Sequence, residues 1–99
     1  MTQAEFFILL TSKHLGHPEP LHETTAVLSY EVGGMMEQAM YMKWEPLDHA
    51  ARMGFFKSEL MDAIAQCVLI CESVDVDFDE MKELGMEKAA ERFTGKEVK

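Results

Sequence analysis

Acidic side chains carry the clearest chemical signal in this 99-residue chain. Glu59 and Asp62 are three residues apart in a stretch with helical spacing of its apolar residues, so their carboxylates share one helix face. Glu31 borders the apolar stripe of an earlier helical stretch, and Glu37 lies about 120° from it around the same helix. A carboxylate beside a core face is costly unless it is paired or binds a cation.

Carboxylates from two facing helices would suit a divalent cation. Mg²⁺ prefers oxygen ligands, keeps several waters, and is usually held by a few carboxylates together with substrate phosphates. The bound ion neutralises phosphate charge and can activate water for in-line attack. An acidic pair with this spacing is also common on solvated helix surfaces, and Asp62 could equally pair with a basic side chain. The spacing alone leaves a metal site and a solvated surface both open.

Four helical stretches are predicted to position these groups. They span residues 2–14, 21–43, 46 or 47 to 73, and 78–93. Apolar residues at intervals of three and four define the second and third stretches, and prolines predict a break at 17–20. Asp77 followed by Glu80 predicts a capped start for the last helix, and Gly95 predicts its end. The predicted fold is an all-α bundle of about four helices in one domain, 1–99.

Composition excludes some classes of partner. The net charge of −9 and pI of about 4.8 predict no binding to nucleic acid, because an acidic chain repels phosphate backbones. A polyphosphate ligand would have to arrive with its metal. The hydrophobic fraction is 47%, although a domain this small buries only ~60–65% of its unfolded surface. We therefore expect a partner chain to cover part of the apolar surface.

Hydrophobic runs and cysteines bear on the compartment. The longest apolar runs, Phe6–Leu10 and Cys67–Cys71, are far shorter than the ~20 residues that span a membrane. The start of the chain lacks the pattern of a signal peptide. Cys67 and Cys71 are four apart in one predicted helix, where disulfide geometry is poor, so we predict reduced core thiols. These features predict a cytoplasmic protein with no membrane association.

Two segments resemble the motifs of the MazG-like, all-α nucleoside triphosphate pyrophosphohydrolases: Glu31-Val32-Gly33-Gly34-Met35-Met36-Glu37 and Glu59-Leu60-Met61-Asp62-Ala63. That family carries Glu-Glu-x-x-Glu on one helix and Glu-x-x-Asp on the next, at a similar interval. The last predicted helix, with its acidic start and its Lys88 and Arg92, is also similar to the family's closing segment. The resemblance covers about residues 21–93, and 1–15 would be an extra N-terminal helix.

The resemblance implies an activity and a site. The activity is Mg²⁺-dependent hydrolysis of a nucleoside triphosphate to the monophosphate and pyrophosphate, with Mn²⁺ as a possible substitute, in a homodimer or tetramer. Carried over by position, the metal ligands and catalytic groups are Glu31, Glu59 and Asp62. Lys88 and Arg92 would contact the substrate phosphates.

Two motif positions depart from the family. Tyr30 and Gly34 stand where the first and last glutamates of Glu-Glu-x-x-Glu would be. Glu37, about one turn beyond Gly34, is a further candidate metal ligand, or a solvated surface glutamate. The departures keep a second hypothesis open, a catalytically impaired MazG-like dimer that acts as a binding or regulatory module. A third is an interaction protein with no nucleotide role.

Other residues have two interpretations each. Gly33 and Gly34 in mid-helix predict close approach of either a ligand or another helix. Lys88 and Arg92, four apart, could also be a solvated pair on the helix surface. Tyr41 and Trp44 could stack on a base or anchor the end of their helix. No histidine pair has the spacing that a metal site demands.

Overall fold

Four helices form the part of the chain that the structure describes. The computed structural model describes residues 1–10, 21–45 and 48–95. Its helices are α1 (Gln3–Leu10), α2 (Leu21–Trp44), α3 (His49–Ser73) and α4 (Phe78–Thr94). The described ranges contain no strand, and none of their helices is long and apolar enough to cross a membrane. The predicted all-α fold of about four helices is confirmed.

The helix ends lie close to their predicted positions. α2 ends at Trp44, one residue beyond the prediction, and α3 ends at Ser73 as predicted. The predicted first turn of α3 includes residues 46 and 47, which lie outside the described ranges, and the described helix begins at His49. The predicted break at 17–20 and the predicted end of the first helix also lie outside those ranges.

Both ends of α4 are capped by local interactions. The Asp77 side chain accepts a hydrogen bond of 2.9 Å from the backbone N–H of Glu80, as the capping pattern predicts. At the other end Gly95 adopts a left-handed conformation (φ 69°), and its N–H donates to the carbonyl of Glu91 at 2.8 Å. Glycine takes this conformation without the steric penalty of a Cβ. Both predicted signals are therefore confirmed.

α3 is the central helix. It packs most extensively against α2 and also contacts α1 and α4. Contacts across the α2–α3 pair run in opposite order along the two helices, because Gly34 meets Glu59 while Gln38 meets Arg52. The two helices are therefore antiparallel. This hairpin brings the middle of α2 beside the middle of α3.

The buried core of the described residues is small. Ala63 and Leu69 on α3 are its buried apolar residues, and Thr24 on α2 is also buried. Cys67 and Cys71 are free thiols, as predicted, but they are half-buried rather than fully enclosed. Burial raises the pKa of both thiols, so they stay protonated near neutral pH.

The Gln3 side chain of α1 contacts the α3–α4 connection. The Gln3 Nε2 group donates to the carbonyl of Val76 at 2.7 Å, and Gln3 Oε1 accepts from the N–H of Phe78 at 2.7 Å. The amide thus satisfies two backbone groups at the start of α4. A groove of about 570 Å³ lies beside it, and its apolar lining includes Phe6, Met61, Ile64, Val68 and Phe78.

Candidate metal centre

Three carboxylates on two helices converge. Glu31 on α2 and Glu59 and Asp62 on α3 each present one oxygen, and these oxygens all lie within 4.8 Å of one another. The i, i+3 spacing aligns the α3 pair, and the antiparallel hairpin brings Glu31 across to them. Glu31 and Glu59 are half-buried, whereas Asp62 is exposed. We call these three residues the acidic trio.

The acidic trio fits a hard divalent cation. Two oxygens bound to an octahedral Mg²⁺ are about 4.1 Å apart when they lie on opposite sides of the ion and about 2.9 Å apart when they are adjacent, so the trio would have to contract around the ion by up to about 2 Å. Three carboxylates leave coordination positions for water and for phosphate oxygens. A donor set made only of carboxylate oxygens suits Mg²⁺, Mn²⁺ or Ca²⁺ rather than softer metals.

The electrostatics of the trio also favour a cation. A hydrogen bond with the Glu59 carboxylate is the main cause that raises the pKa of Glu31, and desolvation and the charges of Asp62 and Glu59 raise it further. In 1–10, 21–45 and 48–95, no lysine or arginine forms an ion pair with these carboxylates. The raised pKa means that Glu31 holds a proton more readily than a free glutamate does, and a bound cation would compete with that proton.

Gly34 makes room for Glu59. A Cβ atom at Gly34 would lie 2.9 Å from Glu59 Cδ, 3.0 Å from Oε2 and 3.2 Å from Oε1. A Cβ atom at Gly33 would have no neighbouring atom within 4 Å. The close approach predicted for this glycine pair is therefore made by a carboxylate of α3, and only Gly34 is needed for it.

A cleft of about 260 Å³ adjoins the acidic trio. Its lining is Tyr30, Gly33, Gly34, Glu37, Gln38 and Glu59. Glu59 belongs to both the cleft and the trio. Glu37 lines the cleft but is not part of the group whose oxygens lie within 4.8 Å. Glu37 therefore lies in the adjoining cleft and outside the acidic trio.

Arg52 organises the far end of the cleft. Its guanidinium donates to Gln38 Oε1 at 3.4 Å, lies 4.2 Å from the centre of the Tyr41 ring, and pairs with Glu45 at 3.6 Å. Tyr41 is therefore engaged by Arg52 and helps to anchor the end of α2, whereas Trp44 remains 63% exposed. Sequence reasoning did not single out Gln38 or Arg52, because their contact depends on the register of the hairpin.

The basic residues of α4 line a hollow of their own. Lys88 and Arg92 line a hollow with Glu91 and Gly95, and none of these four lines the acidic cleft. His49 is exposed and takes no part in the acidic group. The other three histidines lie outside the described ranges or, for His22, have an undescribed side chain.

Comparison with known proteins adds no assignment: no family model, curated protein or solved structure matches this chain.

Proposed function

We propose that this protein is a divalent-cation-dependent pyrophosphohydrolase that converts a nucleoside triphosphate to the monophosphate and pyrophosphate. The observation that carries the proposal is the convergence of Glu31, Glu59 and Asp62 to within 4.8 Å across two helices. These are the three motif positions of the resemblance that retain a carboxylate. Glu31 precedes Glu59 by 28 positions and Asp62 by 31 positions, yet the three carboxylates meet in space. An acidic pair on a solvated helix surface would not need this third carboxylate from another helix.

The residues have distinct proposed roles. Bound Mg²⁺, or Mn²⁺, supplies charge neutralisation at the phosphates and acidifies water. Glu31, Glu59 and Asp62 hold the cation, and a carboxylate oxygen among them orients the attacking water. Glu37 lines the adjacent cleft, where it can join the ligand set through a water molecule.

Positive charge for the substrate is proposed to come from α4. Lys88 and Arg92 lie on the same side of this helix, at i and i+4, and they line one hollow. Guanidinium and ammonium groups bind phosphate oxygens through charge-assisted hydrogen bonds. In this proposal the pair binds the triphosphate and offsets its charge as pyrophosphate leaves.

We propose that the working form is a homodimer or a dimer of dimers. Large apolar side chains are exposed on every helix, including Ile8, Met36, Phe55, Met61 and Phe93. The Cα radius of gyration is 16.3 Å, compared with about 13 Å for a typical compact domain of 100 residues. A second copy would cover apolar surface that one chain leaves in water. Free thiols and a nucleotide substrate both suit the cytoplasm.

A catalytically silent nucleotide-binding module is the second candidate. Tyr30 and Gly34 replace two carboxylates of the motif, and the Glu59 carboxylate fills the space beside Gly34. Such a protein would bind the cation and the nucleotide without turnover. Binding measurements combined with a hydrolysis assay separate the two candidates.

The test begins with calorimetric titration of Mg²⁺, followed by Mg²⁺ with a non-hydrolysable nucleoside triphosphate. Wild type is compared with Asp62→Asn and with the control Asp79→Asn, which removes a surface carboxylate on α4 that pairs with Lys82. We expect Asp62→Asn to lose both binding events and Asp79→Asn to keep them. At ten times Kd, Mg²⁺ should add about 1.4 kcal/mol of stability to every variant that binds it.

Turnover is followed by release of pyrophosphate from a panel of ribo- and deoxyribonucleoside triphosphates. Mg²⁺-dependent release that Asp62→Asn abolishes supports the hydrolase. Binding without release in wild type supports the silent module. Absence of Mg²⁺ binding at millimolar concentrations would exclude both and leave an interaction protein with no nucleotide role.

A further inference from the structure

We infer that the cleft beside the acidic trio binds the nucleoside part of the ligand, with Tyr30 stacking on the base and Gln38 hydrogen-bonding to its edge. The inference rests on the proposed function, which places the phosphates at the trio. It assigns a role to Tyr30, which the motif comparison treats only as a missing carboxylate.

The size of the cleft favours part of a nucleotide. At about 260 Å³ it is smaller than the ~300–1,000 Å³ of pockets that enclose a whole small ligand. Because Glu59 lines this cleft and also belongs to the trio, a ligand with phosphates at the trio extends naturally into the cleft. The cleft is therefore the right size and in the right place for the base and sugar.

Tyr30 provides an aromatic wall. Tyr30 is 80% exposed, and it directly precedes Glu31 of the acidic trio. Gly33 and Gly34 lie three and four residues further along α2, on the same helix face. The Glu59 carboxylate occupies the space beside Gly34, whereas a Cβ at Gly33 would meet nothing within 4 Å, so the cleft is open beside Gly33. An exposed ring next to this open surface can stack on a base, and such stacking contributes about 1–3 kcal/mol.

Gln38 provides a directional donor. It lies eight residues after Tyr30, so about 12 Å separates the two positions along the axis of α2. Its Oε1 accepts from Arg52 at 3.4 Å, which leaves the amide NH₂ to donate elsewhere. Arg52 is itself held by Tyr41 and Glu45, so the amide is pre-oriented. Carbonyl oxygens and ring nitrogens on base edges accept hydrogen bonds from such an amide.

The experiment compares two ligands that share phosphates but differ in the base. Affinities for a non-hydrolysable Mg²⁺–nucleoside triphosphate and for Mg²⁺–tripolyphosphate are measured on wild type, Tyr30→Ala, Tyr30→Phe and Gln38→Ala. The matched control is Trp44→Ala, which removes another exposed aromatic ring of α2 outside the cleft. Size-exclusion chromatography with light scattering records the oligomeric state of each variant.

We expect Tyr30→Ala to weaken nucleotide binding about 5- to 100-fold and to leave tripolyphosphate binding unchanged. Tyr30→Phe and Trp44→Ala should bind both ligands like wild type, and Gln38→Ala should weaken only the nucleotide. Equal weakening of both ligands by Tyr30→Ala, no weakening of either, or dissociation of the oligomer would overturn the inference. If wild type binds neither ligand, the proposed function fails as well. One result would overturn this inference and leave the proposed function intact. In that result Asp62→Asn abolishes tripolyphosphate binding, while Tyr30→Ala leaves nucleotide binding unchanged.

Discussion

The carboxylate of Glu59 lies against the backbone of α2 at Gly34, so close that a Cβ atom there would be 2.9 Å from Glu59 Cδ. The two positions are therefore coupled across the helix hairpin. Because position 34 carries no side chain, the carboxylate of Glu59 can approach the backbone of α2. Any side chain placed at position 34 would have to move Glu59 first.

Substitution of the two adjacent glycines should separate helix propensity from the metal site. Gly33→Ala meets nothing within 4 Å and should stabilise α2 by about 0.5–1 kcal/mol without changing Mg²⁺ affinity. Gly34→Ala should gain less stability and should weaken Mg²⁺ binding about tenfold, because it displaces Glu59. Thermal unfolding and calorimetry on both variants check this. Equal Mg²⁺ affinities for the two variants would contradict it.

The raised pKa of Glu31 predicts the direction of pH dependence in the metal-free protein. The folded state holds this proton more tightly than the unfolded state, whose glutamate pKa is about 4.5. The stability that the proton contributes is complete below pH 4.5 and is lost as the pH rises through the raised value. In EDTA, the melting temperature of wild type should therefore fall relative to that of Glu31→Gln as the pH rises above 4.5.

The glutamine side chain is neutral and can donate a hydrogen bond to Glu59 at every pH. The variant therefore lacks the pH-dependent stability that comes from the proton on Glu31. At neutral pH it should be more stable than wild type by up to about 1 kcal/mol, or about 4–8 °C in melting temperature. Glu83→Gln on α4 is the control for a general effect of net charge. Parallel pH profiles for wild type and Glu31→Gln would show that Glu31 does not share a proton with Glu59.

Removal of the cationic pair of α4 should affect substrate binding more than folding. Lys88→Ala with Arg92→Ala should raise KM about tenfold or more, since hydrogen bonds to charged groups contribute about 1.5–3 kcal/mol. Lys82→Ala is the matched control, because Lys82 pairs with Asp79 at 3.9 Å and lies outside the hollow. Steady-state kinetics and nucleotide titrations give the readout. A change of the same size in Lys82→Ala would point to net charge instead of a specific contact.

Gln3 should contribute to stability through the α3–α4 connection. Gln3→Ala leaves the Val76 carbonyl and the Phe78 N–H without their side-chain partner, which should cost about 1–3 kcal/mol. Gln3→Glu keeps the acceptor for Phe78 but turns a carboxylate oxygen toward the Val76 carbonyl, which repels it, so its loss should be at least as large. Denaturant unfolding of wild type and the two variants gives their free energies of unfolding and so the order of their stabilities. Wild-type stability for Gln3→Ala would mean that the docking of α1 is not coupled to α4.

Local interactions made several parts of this structure predictable. The end of α3 at Ser73, the Asp77 cap and the Gly95 stop each depend on residues within one helical turn, and all agree with the sequence. The shared face of Glu59 and Asp62 follows from helix periodicity in the same way. The alternatives that stayed open, such as the reason for Gly34, all concern contacts between helices.

The sequence by itself determined the helical stretches, the two caps of α4 and the excess of acidic and apolar groups, because these follow from short-range spacing and composition. Only the tertiary structure decided that Glu31 joins Glu59 and Asp62, that Gly34 accommodates a carboxylate, and that Arg52 holds Gln38. Each of these depends on the antiparallel register of α2 against α3. That register is set by side-chain packing along the whole hairpin, and no local pattern of residues encodes it.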